Sequence, residues 1–190
     1  MLIALKYAII IRLLNNEAGC GFDNERGHTE IYKIGAHIAH PGHGGCTIRE
    51  ICYRNHNGEK TRYFILIPEC DPHTKIMVPV ENADKVGLRE VISSQEADKI
   101  LLFLANTEVG WDSDHKQRKE AYDAAMKGSD LLALAKMIKE LLVQEKQASL
   151  GNFEKEVLPR AQRRLFSEIA LAKGVCFDET VRMACQTMLA

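Results

Sequence analysis

Several things are missing from this 190-residue sequence, and each absence closes a class of function. Its six cysteines (Cys20, Cys46, Cys52, Cys70, Cys176 and Cys185) never fall in a Cys-x-x-Cys spacing, and no secretion signal precedes them. They read as reduced intracellular thiols, mostly small buried hydrophobes, rather than a disulfide frame. Long apolar runs are missing too. The opening MLIALKYAIIIRLL is interrupted by Lys6 and Arg12, leaving fewer than the ~18 apolar residues that a membrane span requires. Charge of one sign is absent: 25 Lys and Arg against 26 Asp and Glu leave a net −1. No global basic field draws this chain to nucleic acid, so any such contact comes from a local patch or through delivery by a partner. GHGGCTI lacks the Lys-Ser/Thr end of a phosphate loop and precedes a strand, and neither HExxH nor GxSxG occurs. His37, His40 and His43 alternate faces and straddle the Pro41-Gly42 turn, with no cysteine or carboxylate at ligand spacing. No enzyme, metal or cofactor is therefore expected, and the silence favours a binding module in the cytoplasm.

What is present falls into two regimes. From Ile31 the pattern has period two: Ile34, Ala36 and Ile38 are predicted to line one face before Pro41-Gly42 turns the chain. Ile48 to Arg54 makes a second strand, irregular at Arg49-Glu50 as a bulge would be. Asn57-Gly58 is a hairpin signal, since both residues tolerate positive φ. Tyr63 to Ile67 returns antiparallel. Lys75 to Val80 forms a fourth strand with Ile76, Val78 and Val80 on one face, and Val86 to Val91 a fifth. Short antiparallel strands so close together imply a small barrel. Ser93 to Glu96 is a capping box and opens a helix to Asn106. Helices follow over about Ser113 to Lys127, Ser129 to Gln147, Asn152 to Lys173 and Asp178 to Met188, and Pro159 should kink the fourth or move its start to about Leu158. The fold class is α+β, with residues 1–30 an extension, 31–92 a small barrel and 93–190 a helical unit. In the extension, Leu2, Leu5, Ile9 and Leu13 share a helical face, so it is either a short packing helix or a dispensable segment.

YKIGAHIAHPGHGG, YFIL, VPVENADKVGLREV and SEIALAKG, read together, resemble the CarD family of bacterial transcription regulators and the polymerase-interacting domain of the transcription-repair coupling factor. The resemblance runs from about Ile31 to Gly174. It implies a Tudor-like barrel that docks on the RNA polymerase β subunit, and a helical domain that reaches promoter DNA at the upstream edge of the bubble. On this resemblance Arg54 is a polymerase contact, and Met77 occupies the position of a second, basic one, with Lys75 nearby on the same strand face as its substitute. Trp111 aligns with a tryptophan that inserts at the splayed minor groove. Lys116, Arg118, Lys119, Arg160, Arg163 and Arg164 would then neutralise phosphate without reading sequence, although Asp112 and Asp114 dilute the charge after Trp111. The expected protein is a monomer that binds polymerase and promoter DNA and no membrane. The competing expectation is an adaptor whose barrel binds another protein and whose helical domain does not touch DNA, with Trp111 packed in the seam between the two domains.

Overall fold

Residues 32–56 and 59–189 are described by a computed structural model. The first part is one antiparallel sheet of β1 (His37–His40), β2 (Gly44–His56), β3 (Glu59–Pro68), β4 (Ile76–Pro79) and β5 (Arg89–Glu90), in the order β4-β3-β2-β1-β5. Its apolar face closes over Ile38, Cys46, Ile48, Phe64, Leu66, Val78, Ala83 and Leu88. The expected bulge is present: the β2–β3 register shifts between Ile48 and Glu50. Arg49 is thus an extra residue that resets the alternation, so that Ile48 and Ile51, three apart, both serve the core. His56 pairs with Glu59, while the Asn57-Gly58 turn and the extension lie outside the described residues.

Three strand expectations differ from what is found. Ile34 does not share the face of Ala36 and Ile38; it sits in a turn and is 63% exposed. Gly35 there adopts φ +87°, and its N–H donates to Ile48 O at 2.8 Å, which breaks the alternation before β1 begins. The fourth strand is Ile76–Pro79 and stops before Val80, because Val80–Asn82 forms a 3₁₀ turn; the fifth shrinks to Arg89–Glu90, because Ala83–Val86 is a one-turn helix, α1, closed by Gly87 at φ +84°.

The helices are α2 (Ser94–Asn106), α3 (His115–Lys127), α4 (Leu131–Gln147), α5 (Asn152–Lys173) and α6 (Phe177–Leu189). The capping box exists as read, with Ser93 Oγ accepting from Glu96 N at 3.2 Å and Glu96 Oε2 accepting from Ser93 N at 2.8 Å. α3 and α4 are capped by Asp114 and Asp130 rather than by the preceding serines. α5 does not start at Leu158; it begins at Asn152 and runs through the proline. By then about two turns exist, anchored by buried Glu154, Val157 and Leu158, and that packing carries the helix past the lost donor and the crowding of the proline ring. α5 is the axis of the helical half: its Leu165, Phe166 and Ile169 are fully buried in one core with Leu104, Leu134, Ile138 and Leu141.

α5 also holds the two halves together. Gly45 N donates to Ser167 Oγ at 2.7 Å, and a Cβ on Gly45 would stand 2.6 Å from Ser167 O. The closeness of sheet to helix therefore needs a residue without a side chain at that point. Arg89 reaches Glu168 with both amino groups, at 2.5 and 3.0 Å, and Ile92 N donates to the same carboxylate at 3.0 Å. Lys173, only 1% exposed, donates to Asp98 and Ser94 at 2.8 Å each.

Candidate functional site

Partners across an antiparallel ladder point to the same face. Arg54 stands opposite Thr61, Cys52 opposite Tyr63, and Glu50 opposite Ile65, which itself faces Met77. Arg54 and Met77 therefore share the outer surface of the sheet, and both are exposed, Met77 at 45%. Met77 lies on β4, an edge strand of the sheet. Four residues of β3 separate the two levels, or about 13 Å along the strands. Lys75 is exposed just before β4. It stands farther from Arg54 than Met77 does, so the face presents charge at its two ends with a thioether between. Past Tyr53 and Arg62 neither β1 nor β4 pairs with the β2–β3 ribbon. Tyr53 is exposed there, with the Lys60 ammonium 4.7 Å from its ring centre.

The second surface is the loop between α2 and α3. Asp112 Oδ1 accepts from Asp114 N at 2.8 Å, and Asp114 in turn caps α3 by accepting from Lys116 N and Gln117 N. The two acids thus build the turn that carries Trp111. The indole is half-buried against the helical core, and the Arg118 guanidinium sits 4.3 Å from its centre. Lys116 is exposed; Lys119 is exposed and reaches to 5.5 Å from the Phe153 ring. Arg160 and Arg163 are also exposed but belong to another region. They lie about 9 to 14 Å farther along α5 than Glu154, and Arg163 acts electrostatically on Cys70 of the sheet half.

Arg164 departs most from expectation. It is 7% exposed and donates to the carbonyls of Met126 and Gly128, closing the end of α3. Both amino groups are used inside the fold and are turned away from any phosphate. Among the thiols, Cys46 alone of those described is fully buried, and burial pushes it up to about 12. Cys176 is exposed, and Cys52, Cys70 and Cys185 are intermediate, so the expectation of mostly buried thiols does not hold. The histidine series makes the turn: His40 Nδ1 accepts from Gly42 N at 3.0 Å and stacks edge-on against His43 at 4.9 Å. Among the described residues no His/Cys/Asp/Glu cluster can hold a metal ion, and no helix is long and apolar enough to cross a membrane.

Compared with known families, residues 32–92 match the CarD-like/TRCF RID domain and residues 99–184 match the CarD C-terminal domain. The chain belongs to the CarD family. Its five-stranded sheet is the Tudor-like RID unit, and the helices that follow complete an α+β fold. CarD-family proteins are transcription factors rather than enzymes, and their RID domains interact with RNA polymerase. The chain is also similar to YdeB of Bacillus subtilis (strain 168), named as a candidate transcription factor, at 24% identity over 145 residues, covering 76% of this chain and 94% of YdeB. Among the residues that carried the family resemblance, HPGHGG, VGLREV and SEIALAKG meet at the seam: Gly45 on Ser167 and Arg89 on Glu168. Local pattern places these residues in turns and single elements, because nothing local announces a contact 122 residues away in the chain.

Proposed function

We propose that this CarD-family protein docks on the β subunit of RNA polymerase through the outer face of its sheet and stabilises the melted promoter with Trp111. The observation that carries the reading is the placement of the indole: half-exposed, on a turn fixed by Asp112 and Asp114, beside exposed Lys116 and Lys119. An aromatic held there can stack on an unpaired base at the upstream edge of the bubble, worth about 1–3 kcal/mol per base, and about 1.4 kcal/mol already shifts an equilibrium tenfold. Phosphate contacts from Lys116 and Lys119, with Arg160 and Arg163 farther along α5, add an attraction that reads no sequence. A chain of net charge −1 binds DNA weakly by itself. Attachment to polymerase through Arg54, Lys75 and the Met77 edge supplies a high effective concentration that makes weak contacts sufficient.

Trp111→Ala is expected to leave polymerase capture intact and shorten open-complex lifetime by about tenfold; an unchanged lifetime removes the DNA role. Arg54→Glu is expected to abolish capture of an isolated β-subunit fragment, and persistent capture overturns the docking face. The adaptor reading is favoured by one observation, that Arg118 covers the indole and two exposed acids flank it. On that reading charge reversal at Lys116 and Lys119 leaves promoter complexes untouched.

A further inference from the structure

Of the basic residues near Trp111, Arg118 is held through both amino groups and through its contact with the ring. Nη1 donates to Asp112 O at 2.7 Å, Nη2 to Glu154 Oε1 at 3.0 Å, and the guanidinium plane covers the indole. Its Nε is the one buried side-chain nitrogen or oxygen among the described residues that finds no hydrogen-bond partner. Its acid, Glu154, comes from α5 and is 1% exposed. Burial works to raise the Glu154 carboxyl, but hydrogen bonds from Arg118 and from its own backbone N–H, with the electrostatic pull of Arg118 and His115, outweigh it and hold the carboxyl below the usual carboxylate range. Room for this carboxylate is made by Gly151, where a Cβ would stand 2.5 Å from Glu154 Oε2.

Two consequences follow from this geometry. The charge of Arg118 is already compensated by a buried carboxylate, so little remains to neutralise a phosphate. And three elements converge on the guanidinium that lies over the indole: the turn through the Asp112 carbonyl, α3 through Arg118 itself, and α5 through Glu154. A planar fork can bond two acceptors while its face covers a ring, which an ammonium cannot do. We propose that Arg118 and Glu154 are positioning residues for Trp111, clamping the indole at a fixed height on the helical half, and that Arg118 is not a DNA-phosphate contact. The effect on promoters rests on the DNA role of Trp111 proposed above; the clamp does not.

Trp111 is the chain's single tryptophan, so intrinsic fluorescence of the full-length protein reports this site alone. Glu154→Gln keeps the volume and removes the charge; Arg118→Gln removes the clamp from its more exposed side and serves if the first variant unfolds. With circular dichroism confirming the fold, both variants are expected to shift Trp111 emission to the red and increase its quenching by acrylamide. Both are also expected to shorten open-complex lifetime by about three- to tenfold, with the salt slope unchanged. The sign is diagnostic, because deleting an acid beside a DNA-facing surface would by charge alone tighten binding. Unchanged emission in both variants overturns the clamp. So does a longer lifetime in Glu154→Gln, or a salt slope reduced by about one on Arg118→Gln, the signature of a lost phosphate contact. Shifted emission in the variants together with an unaltered lifetime in Trp111→Ala would leave the clamp standing and remove the DNA role instead.

Discussion

Glu168 on α5 receives both amino groups of Arg89 from β5, at 2.5 and 3.0 Å, while its side chain stays 1% exposed. It also accepts from the Ile92 N–H at 3.0 Å, so one carboxylate fixes the arginine of the last strand and the backbone leading into the first long helix. Replacing it by alanine leaves a backbone donor and a guanidinium without their acceptor. Glu168→Ala is expected to cost about 2–4 kcal/mol, read as a lower urea midpoint together with faster proteolytic cleavage near Ile92. Unaltered cleavage would mean that the seam does not depend on this pair.

Glycine at the seam can be tested against glycine elsewhere. Gly45→Ala drives a Cβ to within 2.6 Å of Ser167 O, a backbone atom that cannot step aside. Gly35→Ala meets nothing within 4 Å and suffers only its φ of +87°. The first is expected to destabilise by about 2–4 kcal/mol through steric overlap, the second by about 1 kcal/mol of backbone strain. Equal thermal shifts in the two variants would contradict the close approach.

Acid should weaken the Arg118–Glu154 pair. Glu154 is held below its ordinary range in the folded chain, so the unfolded chain binds its proton more readily. The stability this contributes is complete above the unfolded value, about 4.3 for a glutamate, and is lost as pH falls through the folded one. Urea midpoints of the wild type and Glu154→Gln should therefore converge progressively as pH falls below about 4.3. Parallel curves would show that the carboxylate is not selectively stabilised. Glu96 and Asp71 are also held low by their hydrogen bonds, but they titrate alike in both proteins and cancel in the difference.

Met77 offers a gain-of-function test of the docking face. It is exposed on an edge strand and shares the outer surface with Arg54. Met77→Arg places a second charge nearer to Arg54 than Lys75 stands. It is expected to tighten capture of a β-subunit fragment by about three- to tenfold, mostly through association rate and with strong salt sensitivity. No change in capture would argue that the partner meets another face.

Much of the fold could be read from local pattern. Ser93 and Glu96 announce their helix because capping chemistry is local, and the bulge at Arg49 shows because period two fails there. Ile34 misleads because a single left-handed glycine after it ends the alternation, and α1 hides in a strand-like run because one turn of helix has no period to detect. The helices expected from about Ser113 and Ser129 begin at His115 and Leu131, because Asp114 and Asp130 cap them and helix propensity barely separates adjacent candidate starts. The site was legible in part. Trp111, Lys116 and Lys119 stand on the loop and helix where the sequence put them, while Arg164 looks like its neighbours Arg160 and Arg163 in any one-dimensional reading. Only the packing of α5 against the end of α3 distinguishes it.

Lys139 of α4 is buried and donates to the carbonyl oxygens of Leu104 at 2.6 Å and Ala105 at 3.4 Å, in the last turn of α2. A cation at the carbonyl end of a helix is favoured by the alignment of the peptide dipoles, and here it also occupies acceptors that would otherwise turn to water. The final turn of α2 is thereby kept from fraying, and the segment that leaves it at Thr107 sets out from a moored end. With Asp114 anchoring the far side, the few residues carrying the indole hang between two stationary posts, and their reach is decided by length rather than by chance.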